Sequence, residues 1–502
     1  MPTFAAEKLA AWTGGHWTRI PGGPLRGFTQ DTRQLAPGQV FVAVRTDKRD
    51  GHDFLGEALK RGAAAALTAR KVAGTDLPQL VVTDPLAAFQ RIAREHRREF
   101  HGVVVGVTGS VGKTSTKDLL ALLFGGVGPV ADQAGPPQPG PTRDQEPAPA
   151  VEGNRNHSAG GTDGLIGGLS PVLKTEGNLN NHLGVPLTLT RLDPEVHRFA
   201  VIEAGIGGPG EMAPLAEMIE PDHSLVTLVG PAHLEKLGSL DGVAREKSRL
   251  PAANRPGGVA VFPHSCWEFE PFRLLPNPLV VVPDRDAAGH LPARSVRFNV
   301  NHRPDRTEVT FEGRRRFTLR RVSTGMAQNA ALALALASDL GVGDAALQAR
   351  LADWQPSKWR GELMHVGEMV VYRDFYNANP ASMADAIDAF HGSVGTELPR
   401  LYVLGCMEEL GPAAATYHRE VGRMLRLRRG DLLFAIGDQA GALREGLLES
   451  GNDTAQVLVV DDLAPVRERL AGFAGAVFLK GSRRYQLETV FEDHTAGTPH
   501  QG

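Results

Sequence analysis

A glycine-rich turn followed by lysine and threonine is the part of the sequence best suited to chemistry. It lies in VVVGVTGSVGKTSTKDLL (Val103–Leu120), where a buried strand is expected before the turn and an amphipathic helix after it. Backbone N–H groups of such a turn can converge on phosphate oxygens, and the helix start adds a favourable dipole. The lysine would reach the β- and γ-phosphates, and the threonine hydroxyl would bind Mg²⁺. We therefore predict an ATP site formed by Gly109, Ser110, Val111, Gly112, Lys113, Thr114 and Ser115.

The phosphate loop alone leaves the reaction open. Its match to the strict G-x-x-x-x-G-K-[ST] pattern is imperfect, because Val107 stands at the first position and the earlier glycine is Gly106. A fortuitous Gly-Lys-Thr turn is the alternative, although the expected strand and helix on either side favour a phosphate site. Kinases, ATPases and ligases all use such loops, so the rest of the chain must decide among them.

Composition and charge exclude several classes of protein. The 502 residues are enough for two to four domains, and a hydrophobic content of 42% is enough for several buried cores. The formal net charge of -3 argues against a nucleic-acid-binding protein, which would usually carry a basic excess. No apolar run approaches the roughly 20 residues that span a bilayer. We expect small-molecule substrates, with neither nucleic acid nor a membrane as a partner.

Cysteine usage and the N-terminal sequence indicate the compartment. Cys266 and Cys406 are far apart and lack metal-type spacing, as is usual for reduced thiols. The N-terminus has no basic patch followed by an apolar core, so no secretory signal is predicted. We expect a cytoplasmic protein that acts as a monomer.

Hydrophobic patterning divides the chain into three blocks and predicts an α/β fold with three domains. Residues 1–100 mix short apolar runs with helical stretches. Residues 101–354 alternate helices with short, continuous Val-rich and Ile-rich runs, which are typical of buried parallel strands. Residues 355–502 repeat this alternation as a second unit of Rossmann-like character. The clearest strands of the second and third blocks are expected in Val103–Gly109, Phe199–Gly205, Leu225–Gly230, Gly258–Pro263, Met369–Phe375, Arg400–Gly405, Leu432–Gly437 and Ala476–Gly481.

A Gly/Pro-rich stretch from about residue 125 to residue 172 interrupts the second block. It includes GPPQPGPTRDQEPAPA (Gly135–Ala150) and has almost no large apolar residue before Leu165. A segment of this composition cannot bury enough surface to offset its ordering entropy. We expect a disordered surface insertion, either a plain solvated loop or a segment that binds a partner.

Several segments resemble those of the Mur ligase family. TGSVGKTS (Thr108–Ser115) is similar to the loop variant of Mur ligases and folylpolyglutamate synthetases. TEGNLNNHLGVPLTL (Thr175–Leu189) and FYNANPASM (Phe375–Met383) resemble segments of the D-alanyl-D-alanine-adding members. GCMEELG (Gly405–Gly411) and LKGSRRYQLE (Leu479–Glu488) are similar to C-terminal family segments. The resemblance implies an N-terminal UDP-binding domain, a central P-loop ATPase domain and a C-terminal Rossmann-like domain.

The same resemblance implies an ATP-dependent amide ligase that adds D-alanyl-D-alanine to a UDP-linked muramoyl tripeptide, in peptidoglycan precursor synthesis. A free carboxylate is a poor electrophile, so it would first attack the γ-phosphate of ATP to give an acyl phosphate. The amine of the dipeptide would then attack that carbonyl. Because negative charge gathers in each step, positioning and electrostatic stabilisation would dominate catalysis.

The resemblance assigns a phosphate and magnesium site to residues of the second block. Lys113 would contact the ATP phosphates, and Thr114 and Glu203 would bind Mg²⁺. A structural salt bridge is the alternative for Glu203, since an unpaired buried carboxylate is costly. His233 matches the second metal-site residue of the family, although a lone histidine is more often an ordinary loop or core residue.

Lys247 corresponds by resemblance to a lysine that reacts with CO₂ to form a carbamate. A carbamate would help to hold the second metal ion, whereas an ammonium would repel it. Carbamate formation needs a neutral amine, so burial or neighbouring cations would have to lower the pKa of Lys247. The alternative is an exposed helix lysine beside Arg245 and Arg249.

Further ATP contacts are implied in the second and third blocks. Asn329 would lie near the adenine, Arg360 would meet the phosphates on closure, Asp374 would meet the ribose, and Tyr376 would lie beside the adenine. The sequence departs from the family pattern close to these residues, at Gln328, Leu332, Phe375 and Cys406.

Contacts to the other two substrates are implied in all three blocks. For the UDP-linked peptide, the similarity of DTRQLAPGQVFVAV (Asp31–Val44) to the UDP-binding domain implies Asp31, Thr32 and Arg33. A carboxylate or sugar would suit the amides of Asn178, Asn180 and Asn181, unless these asparagines serve turns. The dipeptide carboxylate needs a cation, so we predict that Lys480, Ser482 and Arg483 contact the dipeptide.

Three rival interpretations remain. A diamino-acid-adding Mur ligase should carry a motif resembling Asp-Asn-Pro-Arg in the third block, and none occurs there. A Mur-like binding protein without catalysis would not need Lys113, Thr114, Glu203, His233 and Lys247 together. A P-loop kinase would leave the third block unexplained.

Overall fold

Three β-sheets organise the described part of the chain, and each sheet belongs to one of the three blocks. The structure is a computed structural model that describes residues 2–125, 171–286 and 292–494. The strands of the first sheet are β1 (His16–Trp17), β2 (Phe28–Thr29), β3 (Val40–Val42), β4 (Ala65–Thr68) and β5 (Gln79–Val81). Their order is β1-β5-β4-β3-β2, and all neighbours are parallel except β1 and β5. The accompanying helices are α1 (Ala6–Thr13), α2 (Leu55–Lys60) and α3 (Pro85–Arg98).

The second sheet has nine strands and carries the phosphate loop. Its strands are β6 (Val103–Thr108), β7 (Val172–Lys174), β8 (Phe199–Glu203), β9 (His223–Val226), β10 (Ala260–Pro263), β11 (Pro278–Pro283), β12 (Ser295–His302), β13 (Arg306–Phe311) and β14 (Arg315–Arg320). The order is β14-β13-β12-β11-β10-β9-β6-β8-β7, parallel from β7 to β12 and antiparallel from β12 to β14. Its helices are α4 (Lys113–Phe124), α5 (Gly184–Leu189), α6 (Met212–Ile219), α7 (Leu234–Leu237), α8 (Leu240–Lys247), α9 (Arg249–Ala252), α10 (Glu270–Arg273), α11 (Thr324–Asp339) and α12 (Asp344–Ala352).

The third sheet is parallel except at one edge. Its strands are β15 (Glu362–Val366), β16 (Met369–Asp374), β17 (Arg400–Gly405), β18 (Leu432–Ile436), β19 (Val457–Val460) and β20 (Ala476–Lys480). They follow the order β15-β16-β20-β17-β18-β19, and β15 pairs antiparallel with β16. The helices are α13 (Pro380–Ser393), α14 (Ala414–Met424), α15 (Ala440–Glu449) and α16 (Ala464–Leu470).

Local sequence explains why the helices near the site begin where they do. Ser323 caps α11, because its hydroxyl accepts a hydrogen bond from the N–H of Met326 over 3.0 Å. Asn379 and Ser382 form a reciprocal capping box at the start of α13, and Pro380 occupies its first turn. Among the described residues, none of the helices combines the length and the apolar character that crossing a bilayer demands.

The predicted α/β class is confirmed, and a strand forms within each segment predicted in the second and third blocks. One of them is misplaced, because β9 (His223–Val226) overlaps the predicted Leu225–Gly230 only at Leu225 and Val226. The antiparallel extension from β12 to β14 was not predicted, because its alternating burial lacks the continuous apolar run of a parallel strand. The expectation of an amphipathic helix after the phosphate loop is wrong, since α4 has no exposed residue and packs against α11, α12 and β8. The proposed domain boundaries stay predictions. The Gly/Pro-rich insertion lies outside the described residues except for its ends at 125, 171 and 172.

Candidate functional site

A cavity of about 450 Å³ lies between the second and third sheets. The second block contributes Val111, Gly112 and Ser115 of the phosphate loop, together with Thr227, Gln328 and Asn329. The third block contributes Arg360, Asp374, Asn377, Asp385 and Lys480. Several of these residues stand at or just after the carboxyl ends of parallel strands, where α/β sheets bind ligands.

Two glycines let the phosphate loop pass close to its neighbours. Gly109 has φ 145° and Gly112 has φ 78°, values that side chains rarely adopt. A Cβ on Gly109 would lie 1.9 Å from Oγ1 of Thr227, and a Cβ on Gly112 would lie 2.1 Å from Nδ2 of Asn329. Ser110 ties the loop to the segment after β9, because its hydroxyl donates to the Gly230 carbonyl over 2.9 Å.

Two lysines meet at a single carbonyl of this loop. Nζ of Lys113 and Nζ of Lys247 both donate to the Gly109 oxygen, over 2.9 and 3.0 Å. Lys247 is only 1% exposed, and Arg245 and Arg249 on the same segment are exposed, so the interpretation of Lys247 as a surface lysine is wrong. Burial, assisted by the charge of Lys113, holds the pKa of Lys247 well below its usual value. Burial also lowers the pKa of Lys113, although the Glu203 carboxylate opposes this shift.

The carboxylate of Glu203 is buried at the end of β8 and held by two side chains. Thr114 Oγ1 donates to Oε2 of Glu203 over 2.9 Å, and Asn180 Nδ2 donates to Oε1 over 2.7 Å. Glu203 is 1% exposed. Hydroxyl and carboxylate oxygens are hard ligands of the kind that Mg²⁺ prefers, so the pair Thr114–Glu203 fits this cation. The alternative of a salt bridge at Glu203 finds no support, because its two hydrogen-bonding partners here are neutral.

His233 stands opposite the third sheet at the start of α7. Its Nδ1–H donates to Oε2 of Glu409, from the loop after β17. Burial lowers the pKa of His233, and the charge of Glu409 opposes that shift. Within the described residues, no group of three or more His, Cys, Asp and Glu side chains is arranged to hold a metal ion.

The residues implied for the nucleoside occupy different positions around the cavity. Asn329 is buried beside Gly112, and Asp374 forms an ion pair with Lys480 over 3.1 Å. The guanidinium of Arg360 lies 4.0 Å from the ring centre of Tyr376. Tyr372, which the sequence did not single out, lines the cavity, whereas Tyr376 is not among the lining residues.

Two departures from the family pattern have different structural outcomes. Gln328 lines the cavity, so its change bears directly on whatever is bound there. Leu332 of α11 is fully buried in the apolar core that this helix shares with α4, where it fills space.

The asparagine cluster serves more than one purpose. Asn180 contacts Glu203 as described, and Asn178 is exposed. Oδ1 of Asn181 accepts hydrogen bonds from the N–H groups of Leu183 and Gly184, at the start of α5. Asn181 therefore serves a turn, which was the alternative to substrate binding for these asparagines.

The remaining predicted contacts lie at loops of the first and third blocks. Asp31 caps a short 3-10 helix and pairs with Arg33, which lowers the pKa of Asp31, and Thr32 is buried next to it. Lys480 is 1% exposed and donates to the Asn377 carbonyl over 2.8 Å as well as pairing with Asp374. Ser482 accepts from the N–H of Arg484. Arg483 pairs with Glu488 and stacks 4.5 Å from the ring centre of Trp359.

Among the polar residues of the site that sequence reasoning missed, three make specific contacts. Thr227 donates a hydrogen bond to the Val111 carbonyl of the phosphate loop. Asp385 accepts from the Gly325 N–H over 2.7 Å, and Glu409 contacts His233. Burial raises the pKa of Asp385. Nothing local distinguishes Glu409 from Glu408 in the sequence, yet Glu409 meets His233 of the second block, whereas Glu408 accepts from Tyr485 within the third.

Comparison with known proteins agrees with this architecture. The Mur ligase middle domain matches residues 107–337, and the Mur ligase glutamate ligase domain matches residues 359–483. A relative from Synechocystis is 31% identical over 422 residues, which cover 82% of this chain and 80% of the relative. The chain belongs to the Mur ligase family.

The relatives share one name. The Synechocystis protein and a Haemophilus influenzae protein are both called UDP-N-acetylmuramoyl-tripeptide–D-alanyl-D-alanine ligase. The second is 29% identical over 471 residues, covering 92% of this chain and 91% of the relative. The solved structure of MurF from Acinetobacter baumannii aligns with a TM-score of 0.79 and 25% identity, over 98% of this chain and 99% of that chain. The family predicted from the motifs is confirmed.

Proposed function

We propose that this chain is an ATP-dependent ligase that joins D-alanyl-D-alanine to a UDP-N-acetylmuramoyl tripeptide. The observation that carries the proposal is the cavity between the second and third sheets, whose walls include the phosphate loop on one side and Arg360 and Asp374 on the other. The dipeptide and the UDP-linked acceptor come from the names of relatives that match over nearly the whole chain. The peptide product would serve peptidoglycan precursor synthesis.

The reaction requires the acceptor carboxylate to be activated. One carboxylate oxygen attacks the γ-phosphorus of ATP, ADP leaves, and an acyl phosphate forms. The neutral amine of D-alanyl-D-alanine then attacks the acyl carbon, phosphate leaves, and the nitrogen loses a proton to give the amide. Lys113, at the phosphate loop, would stabilise the charge that develops on the transferred phosphoryl group.

The oxygen ligands at the phosphate loop are suited to one Mg²⁺ ion, which would neutralise phosphate charge when bound. Thr114 and Glu203 would hold it, and phosphate oxygens and water would complete its shell. His233 would serve the second metal site, next to Lys247. The structure supports a neutral amine at Lys247, since burial and Lys113 lower its pKa, and a neutral amine is what carbamate formation with CO₂ needs. An ammonium at this position would repel a cation.

The other predicted contacts are assigned by position. Asn329, Arg360 and Asp374 would bind the nucleotide, and Tyr376, which lies outside the cavity lining, would contribute through its contact with Arg360. Asp31, Thr32, Arg33, Asn178 and Asn180 would face the UDP-linked peptide, and Ser482 and Arg483 would face the dipeptide. We assign Lys480 to the support of Asp374 as well, because the buried Lys480 forms an ion pair with the half-buried Asp374. The protein would act as a cytoplasmic monomer.

Phosphate release from ATP tests this function. We expect release only when UDP-muramoyl tripeptide and D-alanyl-D-alanine are both present. Reactions that lack one substrate give the background, and a diamino acid replaces the dipeptide as a control for specificity. Equal turnover with the diamino acid would refute the dipeptide assignment while sparing the ligase class. No release with any acceptor would favour a Mur-like binding protein.

A further inference from the structure

Two loops from different sheets meet at His233 and Glu409. His233 follows β9 of the second sheet, and Glu409 follows β17 of the third. The Nδ1–H of His233 donates to Oε2 of Glu409, and the N–H of Glu235 donates to the Glu409 carbonyl over 3.3 Å. Glu409 therefore contacts the opposite loop through both its side chain and its backbone.

Both residues adopt a backbone conformation that side chains rarely occupy. His233 has φ 55° and Glu409 has φ 61°. Left-handed backbone at a non-glycine residue is costly and persists where the surroundings fix it. Gly411 lies at the same contact with φ 57°, and a Cβ there would be 3.0 Å from Cα of Glu235. The approach of the two loops is therefore specified by backbone geometry on each side.

The hydrogen bond to Glu409 also determines which ring nitrogen of His233 keeps a free lone pair that can face the phosphate site. In a neutral imidazole, a protonated Nδ1 leaves Nε2 as the nitrogen with a free lone pair. The segment that carries His233 lies beside the phosphate loop, because Gly230 exchanges two hydrogen bonds with the Ser110 hydroxyl of that loop, over 2.9 and 3.0 Å. A ring held at Nδ1 by a carboxylate has a fixed orientation and a fixed tautomer.

We infer that Glu409 is a positioning residue, which orients His233 and fixes its tautomer only when the third sheet is docked on the second. The inference rests on the proposed function, because it concerns a residue of the proposed ATP site. Docking of the third block would then do more than close the cavity. It would also place His233 of the second block in its active orientation and tautomer, so that phosphate transfer would occur only after the third block has docked.

The first test reads the ring itself and does not depend on activity. Nitrogen NMR of ¹⁵N-histidine-labelled full-length protein is recorded with a non-hydrolysable ATP analogue and EDTA, at about two pH units above the usual imidazole pKa. A His233→Gln sample identifies the His233 signals. We expect the Nδ1-protonated tautomer in the wild type and a shift toward the Nε2-protonated tautomer in Glu409→Ala. Unchanged His233 signals in Glu409→Ala would overturn the inference.

The second test separates orientation from mere packing. We expect Glu409→Ala to lower kcat by about 10- to 100-fold, as loss of such outer partners usually does, while the KM for D-alanyl-D-alanine stays within about twofold. Glu409→Gln should recover most of the rate, because its amide oxygen still accepts from Nδ1–H. Glu235→Ala is the matched control: it removes an exposed acid at the same contact without touching His233, and it should behave as the wild type.

The outcomes distinguish this inference from the proposed function. If the wild type releases no phosphate, the proposed function fails, and the NMR comparison still decides whether Glu409 sets the tautomer of His233. If the wild type is active and Glu409→Ala keeps full kcat, Glu409 has no positioning role. A further loss of rate when Glu409→Ala is added to His233→Gln would also contradict it, because a residue that acts through His233 has no effect without it.

Discussion

At the scale of single residues, the site depends on charges that are buried next to each other. Lys113 and Lys247 donate to one carbonyl oxygen, and Lys247 has no room to reach water. Two ammonium groups at such a distance repel in a low-dielectric interior, which favours the neutral form of one of them. The structure gives Lys247 the greater tendency to be neutral, since its pKa is lowered well below the usual value.

We predict that Lys247 cannot be replaced by another cation. Lys247→Ala and Lys247→Arg should each lower kcat by about 100-fold or more, as does the loss of one preorganised electrostatic group in other enzymes. Arginine stays charged and cannot form the carbamate, so it should fail despite its similar reach. Kinetics and circular dichroism would be measured together, to separate loss of rate from loss of fold.

Rescue and a matched control sharpen this prediction. Short carboxylic acids added to Lys247→Ala should restore part of the rate, because they can occupy the place of the carbamate, whereas Lys247→Arg should show no rescue. Arg245→Ala, on the exposed face of α8, should leave kcat unchanged. Wild-type kcat in Lys247→Arg would mean that Lys247 acts only as a cation.

At the scale of elements, helix α13 of the third block is tied to the start of α11 in the second. Asp385 of α13 accepts a hydrogen bond from the Gly325 N–H, in the first turn of α11. A carboxylate at this place also meets the positive end of the helix dipole. Gly325 permits the approach, since a Cβ there would lie 2.7 Å from Oδ2 of Asp385. The contact is thus set by a small residue on one helix and an acid on the other.

We predict that Asp385→Ala raises the KM for ATP by about three- to tenfold. This range corresponds to the net free energy of about 0.5–1.5 kcal/mol that one hydrogen bond usually contributes. The reason is that the cavity wall formed by α13 would no longer be tied to α11. Steady-state kinetics with ATP as the varied substrate would measure the change. Asp388→Ala is the control, since Asp388 is an exposed acid of the same helix; an equal effect in both variants would contradict the prediction.

At the scale of the whole molecule, the candidate site belongs to no single sheet. The phosphate loop, Glu203 and Asn329 come from the second block, while Arg360, Asp374 and Glu409 come from the third. The first sheet packs on the second block through α3, which contacts α5 and α6. A nucleotide in the cavity would therefore link the second and third blocks more strongly than it links either to the first.

We predict that a non-hydrolysable ATP analogue with Mg²⁺ raises the Tm of the wild type. At 100 times the Kd the stabilisation amounts to about 2.7 kcal/mol, and differential scanning fluorimetry would detect it. Arg360→Ala should lose most of the shift, because it removes the phosphate contact from the third block. Arg419→Ala, whose guanidinium pairs with Glu445 away from the cavity, should keep it. A full shift in Arg360→Ala would show that the third block does not hold the nucleotide.

Local sequence was sufficient to predict the class of fold, the phosphate loop and the family. These depend on local order: a parallel strand buried on both faces must be a continuous apolar run, and a phosphate loop must carry its glycines and Lys-Thr in one short segment. Other features became visible only in the tertiary structure. They are the burial of Lys247, the ion pair between Asp374 and Lys480, and the contacts of Thr227, Asp385 and Glu409. The physical reason is that each involves two groups far apart in the chain, and the distance between them is set by how the sheets pack, which no local pattern records.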